Sequence, residues 1–147
     1  MFKQLLLWTL GSFLLLQAIQ IEIPTPPESI DPTQEIKAPP AILSLLKRSC
    51  YDCHSYQTKM PWYGEIAPVS FEVKSHIKNG RSALNFQTWA DYTPQRQQKI
   101  YQGIVDTINF RMPMPLYLTL HDEAKLSSKE RHAIKAWAKG LLTPIER

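Results

Sequence analysis

The chain has 147 residues, 44% of them hydrophobic and 20% charged, with a formal net charge of +4, 12 prolines, 5 glycines and 2 cysteines. That hydrophobic share, with 4 Trp, 6 Tyr and 5 Phe, excludes a chain disordered throughout, and the few glycines exclude collagen-like or low-complexity sequence. The length implies one domain plus a tail, and two cysteines are too few for a disulfide scaffold.

The first element is apolar. Met1-Phe2-Lys3-Gln4 is followed by a run from Leu5 to Leu16 interrupted only by Thr9, Gly11 and Ser12. A basic start and a short apolar stretch fit the n- and h-regions of a secretory signal. Extended from Phe2 to Ile23, the segment would just cross a bilayer, and no clear small-x-small cleavage site is visible. Residues 1–23 are therefore a signal peptide or an uncleaved anchor of the inner membrane. Either one exports the rest of the chain to the periplasmic side.

Residues 24–40 hold half of the prolines, at Pro24, Pro26, Pro27, Pro32, Pro39 and Pro40. Fixed φ angles and missing N–H groups predict an extended, partly stiff linker that carries no chemistry. The remainder, residues 41–147, has fifteen Lys and Arg against nine Asp and Glu, a net charge of +6. Nucleic acid is one partner for a basic domain, but no basic run with interleaved aromatics is present. An acidic protein partner or an anionic cofactor suits the composition better.

Past the linker, Ile42, Leu45, Leu46, Ser49, Cys50 and Cys53 recur at i, i+3, i+4, i+7, i+8 and i+11. This predicts a helix with both cysteines on its buried face. A second helix is read from Val69, Val73, His76 and Ile77. A third has Thr93 as N-cap and Pro94 at its first position, with Ile100, Tyr101, Ile104, Val105 and Ile108 on its apolar face. A fourth opens at Ser127 with Glu130 three residues on, a capping box, and buries Ala133, Ile134, Trp137, Ala138 and Leu141. No alternating strand pattern and no internal repeat appear, so the expected fold is all-α. Three long connections, Ser55 to Pro68, Gly80 to Tyr92 and Asn109 to Leu126, are too long for an ordinary bundle. A large apolar cofactor at the centre would account for them.

Cys50-Tyr51-Asp52-Cys53-His54 is the attachment signature of a c-type haem. Residues i and i+3 of a helical turn project to nearly the same side, so two thiols can form thioethers with neighbouring vinyl groups. His54 then offers an imidazole nitrogen to the iron. A disulfide between Cys50 and Cys53 would close a very small ring and stabilise little. A thioredoxin-like pair needs a βαβ pattern, and structural zinc needs four closely spaced ligands where no second Cys or His pair exists. A second axial ligand would be Met or His. The candidates are Met60, Met112, Met114, His76, His121 and His132. Met60 has a short tether to His54 and reads as packing, while Met112 and Met114 lie in Arg111-Met112-Pro113-Met114-Pro115-Leu116, an extended loop able to lay a thioether against a metal. His76 reads as a core histidine on an apolar face, His121 as a group bonded to backbone or a propionate, and His132 as solvent-exposed.

These residues resemble the haem-binding-domain family of monohaem c-type cytochromes, found in exported bacterial proteins. The resemblance runs from about Ala41 to Leu142. It is carried by Cys50-Tyr51-Asp52-Cys53-His54-Ser55, Pro61-Trp62-Tyr63, Ile66-Ala67-Pro68-Val69-Ser70, His76, Gly80-Arg81, Leu84-Asn85-Phe86 and Trp89. Met112-Pro113-Met114-Pro115-Leu116-Tyr117, His121, Ala124-Lys125-Leu126-Ser127, Glu130 and Trp137 complete it. The resemblance implies one covalent haem c on Cys50 and Cys53, His54 as proximal ligand and Met112 as distal ligand. It also implies a class I cytochrome c-like plan, in which the helix before the motif packs on the last helix. Met114, two residues after Met112, is a departure from the pattern. Arg81, Asn85 and Trp89 are candidates to meet the propionates, and the carbonyl of Pro68 to meet the second nitrogen of His54.

The function expected is one-electron transfer between redox proteins on the periplasmic side, without catalysis. Two alternatives stand beside it. One is a peroxidase-like enzyme or sensor with an open sixth position, using His76 or Arg81 as its distal group. The other is a fixed subunit of a membrane redox complex, tethered by residues 2–23.

Overall fold

The computed structural model describes residues 1–143, and the last four residues of the segment 41–147 lie outside the described residues. Seven helices form its regular structure: α1 (Phe2–Gln17), α2 (Pro40–Ser49), α3 (Tyr51–His54), α4 (Val69–Ala83), α5 (Pro94–Thr107), α6 (Pro115–Leu118) and α7 (Ser128–Gly140). Among the described residues there is no strand, as expected. The long connections are filled by short 3-10 turns at Trp62–Glu65, Phe86–Asp91 and Asp122–Ala124.

Local chemistry sets the boundaries. Prolines open α2, α5 and α6, where a fixed φ and a missing N–H cost nothing. The Thr93 hydroxyl accepts from the Arg96 N–H to cap α5. At α7 the capping box is complete: Ser127 accepts from the Glu130 N–H, and the Glu130 carboxylate accepts from the Ser127 N–H at 2.8 Å. Those bonds, together with Arg48 from α2 at 2.8 Å, hold the Glu130 carboxyl at about 2, far below its ordinary value. A depressed carboxyl stabilises the fold fully above the unfolded value near 4.5 and loses that contribution as pH falls toward 2. Glu130→Gln should therefore flatten the acid limb of a melting-temperature profile between pH 5 and pH 2. Ser127→Ala should cost about 1 kcal/mol at neutral pH.

The core lies between α2, α5 and α7. Leu46, Ile134 and Ala138 are fully buried, joined by Ile42, Tyr101 and Ile108. Helix α2 packs on α7 as the class I plan implies, and α5 packs on α7 most extensively. Trp89, Tyr101 and Trp137 form an aromatic chain with centroids 5.0 and 5.7 Å apart.

Four expectations are corrected. The helix of the first stripe does not run through the cysteines: Cys50, at φ −129°, breaks it into α2 and α3. The break turns Tyr51 inward, to 3% exposure, where it stacks on Phe86 at 5.2 Å. In α4 the buried positions are Ser70, Lys74 and Ile77, while Val69 and half-exposed His76 face outward. Helix α4 also continues through Gly80 to Ala83, which shortens the connection expected to begin at Gly80.

The fourth correction concerns the linker. Ile36 is 2% exposed, and its N–H donates to the Phe86 carbonyl at 2.8 Å. Glu35 accepts from the Tyr51 hydroxyl at 2.9 Å and pairs with Lys47 at 3.1 Å. The second half of the proline-rich segment is thus part of the folded body, because one apolar side chain and one acceptor in it fit gaps that α2 and α3 leave open.

Helix α1 has no polar face and no buried residue, and it is exposed along most of its length, with Leu16 and Gln17 at its end partly covered. Its 16 residues span about 24 Å. The bilayer-crossing segment expected from Phe2 to Ile23 is corrected too: the helix stops at Gln17, and among the described residues no helix is long and apolar enough to cross a membrane.

Candidate functional site

The site is built on α3. The N–H of Cys53 donates to the Cys50 carbonyl at 3.2 Å and that of His54 to the same carbonyl at 2.9 Å, so one turn separates the two thiols. Both are free. Burial, with the neighbouring Cys53 second, pushes the Cys50 thiol up to about 12. Burial and then the Asp52 charge push Cys53 up to about 11. Neutral thiols are poor ligands for zinc, which binds thiolate. Among the described residues no group of three or more His, Cys, Asp or Glu could hold a metal ion by itself.

His54 is held by α4. Its Nδ1 lies 3.0 Å from the Gly80 carbonyl and 3.0 Å from the Leu84 carbonyl. Carbonyl oxygens only accept, so Nδ1 carries the proton and Nε2 keeps the lone pair. Burial lowers the imidazole's proton affinity and keeps it neutral. Such a ring is prepared to coordinate a metal through Nε2. The expected carbonyl partner was Pro68, but that carbonyl accepts from the Phe71 N–H at the start of α4. The true partners lie on the far end of the same helix.

Gly80 makes this approach possible. A Cβ there would meet the Cys53 carbonyl oxygen at 2.6 Å and the Cys53 Cβ at 3.2 Å. Only a glycine lets α4 press its backbone against α3.

Two connections close over α3. Asp52 accepts from the Tyr117 hydroxyl at 2.6 Å and from the Lys59 N–H at 3.1 Å. Tyr117 stacks on His121 at 4.1 Å, and His121 Nε2 meets the Tyr63 hydroxyl at 2.7 Å. His121 Nδ1 pairs with Glu123 at 2.8 Å. Both nitrogens of His121 are thus occupied by side chains, where backbone or a propionate was expected. Asp52, Tyr63 and Tyr117 were not singled out as functional from sequence, because pairs 58 and 65 residues apart leave no local pattern.

The other candidates fall as follows. His76 pairs with Glu72 one turn back on α4, at 3.0 Å. His132 is exposed, as read. Met60 lies against Gly64, where an added Cβ would meet its sulfur at 2.7 Å. Asn85 is buried and caps the turn at Phe86–Asp91 by accepting from the Gln87 N–H at 3.0 Å. Trp89 is buried against Tyr92 and Tyr101. Arg81 donates to the Ser55 carbonyl at 2.7 Å, to the Thr58 hydroxyl at 2.9 Å and to the Pro24 carbonyl at 2.8 Å. These three residues meet protein partners in the structure.

Met112 does not lie in a fully extended loop. The N–H groups of Phe110, Arg111 and Met112 converge on the Thr107 carbonyl in a turn after α5. Arg131 of α7 donates to the carbonyls of Met112, at 2.9 Å, and Ile108. Met114 stands at the N-cap of α6, with its carbonyl accepting from the Leu118 N–H.

The residues present fit a haem. A neutral imidazole, a thiol beside it at Cys53, a second thiol one turn earlier at Cys50 and a methionine whose backbone carbonyl is held by Arg131 form a suitable donor set. The connections that close over α3 also expose large apolar side chains, Trp62 and Ile66 from one, Leu116 and Leu120 from the other.

The fold and site define a small all-helical haem protein. The chain belongs to the haem-binding domain family, whose model matches residues 11–140. No curated protein and no solved structure matches it. The match begins inside α1, well before the Ala41 start that the sequence resemblance implied.

Proposed function

We propose that the protein is a monohaem c-type cytochrome, carrying single electrons between redox proteins on the periplasmic side of the membrane, where the exposed apolar helix α1 holds it to the lipid. The observation that carries this reading is the Nδ1 of His54 held by two carbonyls, which leaves Nε2 as an oriented, neutral ligand one residue past Cys53 and four past Cys50. When bound, the haem supplies an Fe(II)/Fe(III) couple.

The chain's own residues do the rest. Cys50 and Cys53 anchor the cofactor covalently, and α4 fixes the plane of His54 through Gly80 and Leu84. Met112 offers its thioether from a turn that Arg131 pins, so a fixed ligand set keeps reorganisation small. The basic surface of residues 41–147 steers acidic redox partners into brief, small interfaces.

A carrier is favoured over an enzyme by the two groups that distal acid–base chemistry would use. His76 is paired with Glu72, and Arg81 is held by three acceptors. The test is the weak red absorption of a Met-ligated ferric haem. Met112→Ala should abolish it and Met114→Ala should leave it. The reverse order would assign Met114, a band that survives both changes would assign another methionine such as Met60, and absence of the band from the wild type would overturn methionine ligation. Immediate carbon monoxide binding by the reduced protein would favour the enzyme or sensor.

A further inference from the structure

The chain from the end of α1 to the start of the linker runs beside α4, bonded to Lys74 and Arg81 of that helix and to Ala67 just before it. The Gln17 amide makes both bonds that Ala67 offers: Nε2 donates to the Ala67 carbonyl at 3.1 Å, and Oε1 accepts from its N–H at 2.9 Å. Lys74, 8% exposed, donates to Gln20 Oε1 at 3.2 Å. Arg81 donates to the Pro24 carbonyl at 2.8 Å.

Lys74 and Arg81 are seven residues apart on α4, two turns or roughly 10 Å, and Ala67 lies just before the helix begins. On the other side, Gln17 and Ala18 end α1 in a helical turn, and the four residues from Gln20 to Pro24 cover roughly 13 Å when extended, enough to pass from Lys74 to Arg81. Arg81 also carries the contact onward, since the same guanidinium holds Ser55 and Thr58, the residues that follow His54.

We propose that Gln17 to Pro24 is a strap belonging to the folded haem domain, so that α1 and the domain form one rigid mount on a lipid bilayer. This rests on the anchored reading above. The bilayer is the occupant of α1, because Leu5, Trp8, Leu14 and Leu15 are all exposed on a helix with no polar face, and no charge lies between Lys3 and Glu22. The family match, which starts at residue 11, includes the strap with the domain. The mount presents the haem domain to its redox partners at a set orientation, with the strap retained in the mature chain.

Two glutamates make the test direct: Glu22 lies in the strap and Glu28 just beyond it. A protease cuts only where several residues can open. In the full chain, purified in detergent micelles and treated with a Glu-specific protease, cleavage after Glu22 should be about tenfold slower than after Glu28. The double variant Gln17→Ala, Gln20→Ala should bring the two rates within about twofold and leave the haem spectrum unchanged. Equal rates in the wild type would overturn the proposal. So would protection of Glu22 that persists in the double variant, which assigns it to the micelle, or a native protein whose intact mass begins after Gln17. The haem spectrum of the same samples reports separately on the carrier reading.

Discussion

Cys50→Ala combined with Cys53→Ala should convert a haem that survives acid-acetone extraction of the denatured protein into one that is extracted completely. Each single variant should retain it through one thioether. The geometry supports this all-or-none difference. The thiols sit one turn apart, Cys50 at the start of α3 and Cys53 within it, and burial keeps both neutral. They are not joined to each other, and neither is engaged as a thiolate. With both sulfurs removed, the donors left are an imidazole and a thioether, and these bonds do not outlast denaturation. Extraction of the haem from the wild type would defeat covalent attachment, while leaving a noncovalent haem protein standing.

Gly80→Ala should have the second large effect, and its sign is informative. In a helix interior, alanine is about 1 kcal/mol better than glycine. Here the added Cβ would lie 2.6 Å from a backbone oxygen, that of Cys53, which cannot swing aside. Helix α4 would have to retreat from α3 and draw the Gly80 carbonyl away from His54 Nδ1. Overpacking of this kind costs about 1–3 kcal/mol, so the melting temperature should fall despite the better helix former. The absorption spectrum should also change, because the ring of His54 loses one of its two fixed acceptors. Gly103→Ala is the control: nothing lies within 4 Å of a Cβ there, and on α5 the change should stabilise the protein. If both variants raise the melting temperature, the close approach of α3 and α4 does not govern the site.

What was legible in the sequence was local. Thr93 with Pro94, and Ser127 with Glu130, placed the starts of α5 and α7 because caps are written within four residues. The CxxCH motif was legible because its chemistry requires a single spacing. The face of α4 was misread, since Val69 and Val73 look like a stripe until Lys74 is buried by pairing with Glu65 at 3.0 Å and with Gln20. Tyr51 was missed because the break at Cys50 shifts the helical register by a turn angle that no apolar pattern records. The partners of His54, the burial of Ile36 and the strap all depend on residues 26 to 57 positions apart. Such pairings arise from the packed whole rather than from any window of the chain.

Asp52, a position the CxxCH pattern leaves free, holds the loop at Lys59 with one carboxylate oxygen and Tyr117 with the other. Tyr117 in turn lies flat on His121, which meets Tyr63 back in the first loop. The circuit is closed: motif, first loop, last loop and motif again. Neither loop can swing out without breaking bonds that also restrain the other, so the two covers over α3 release together. Ligand exchange at the iron would then be gated by a concerted opening, slower than the flutter of either loop alone.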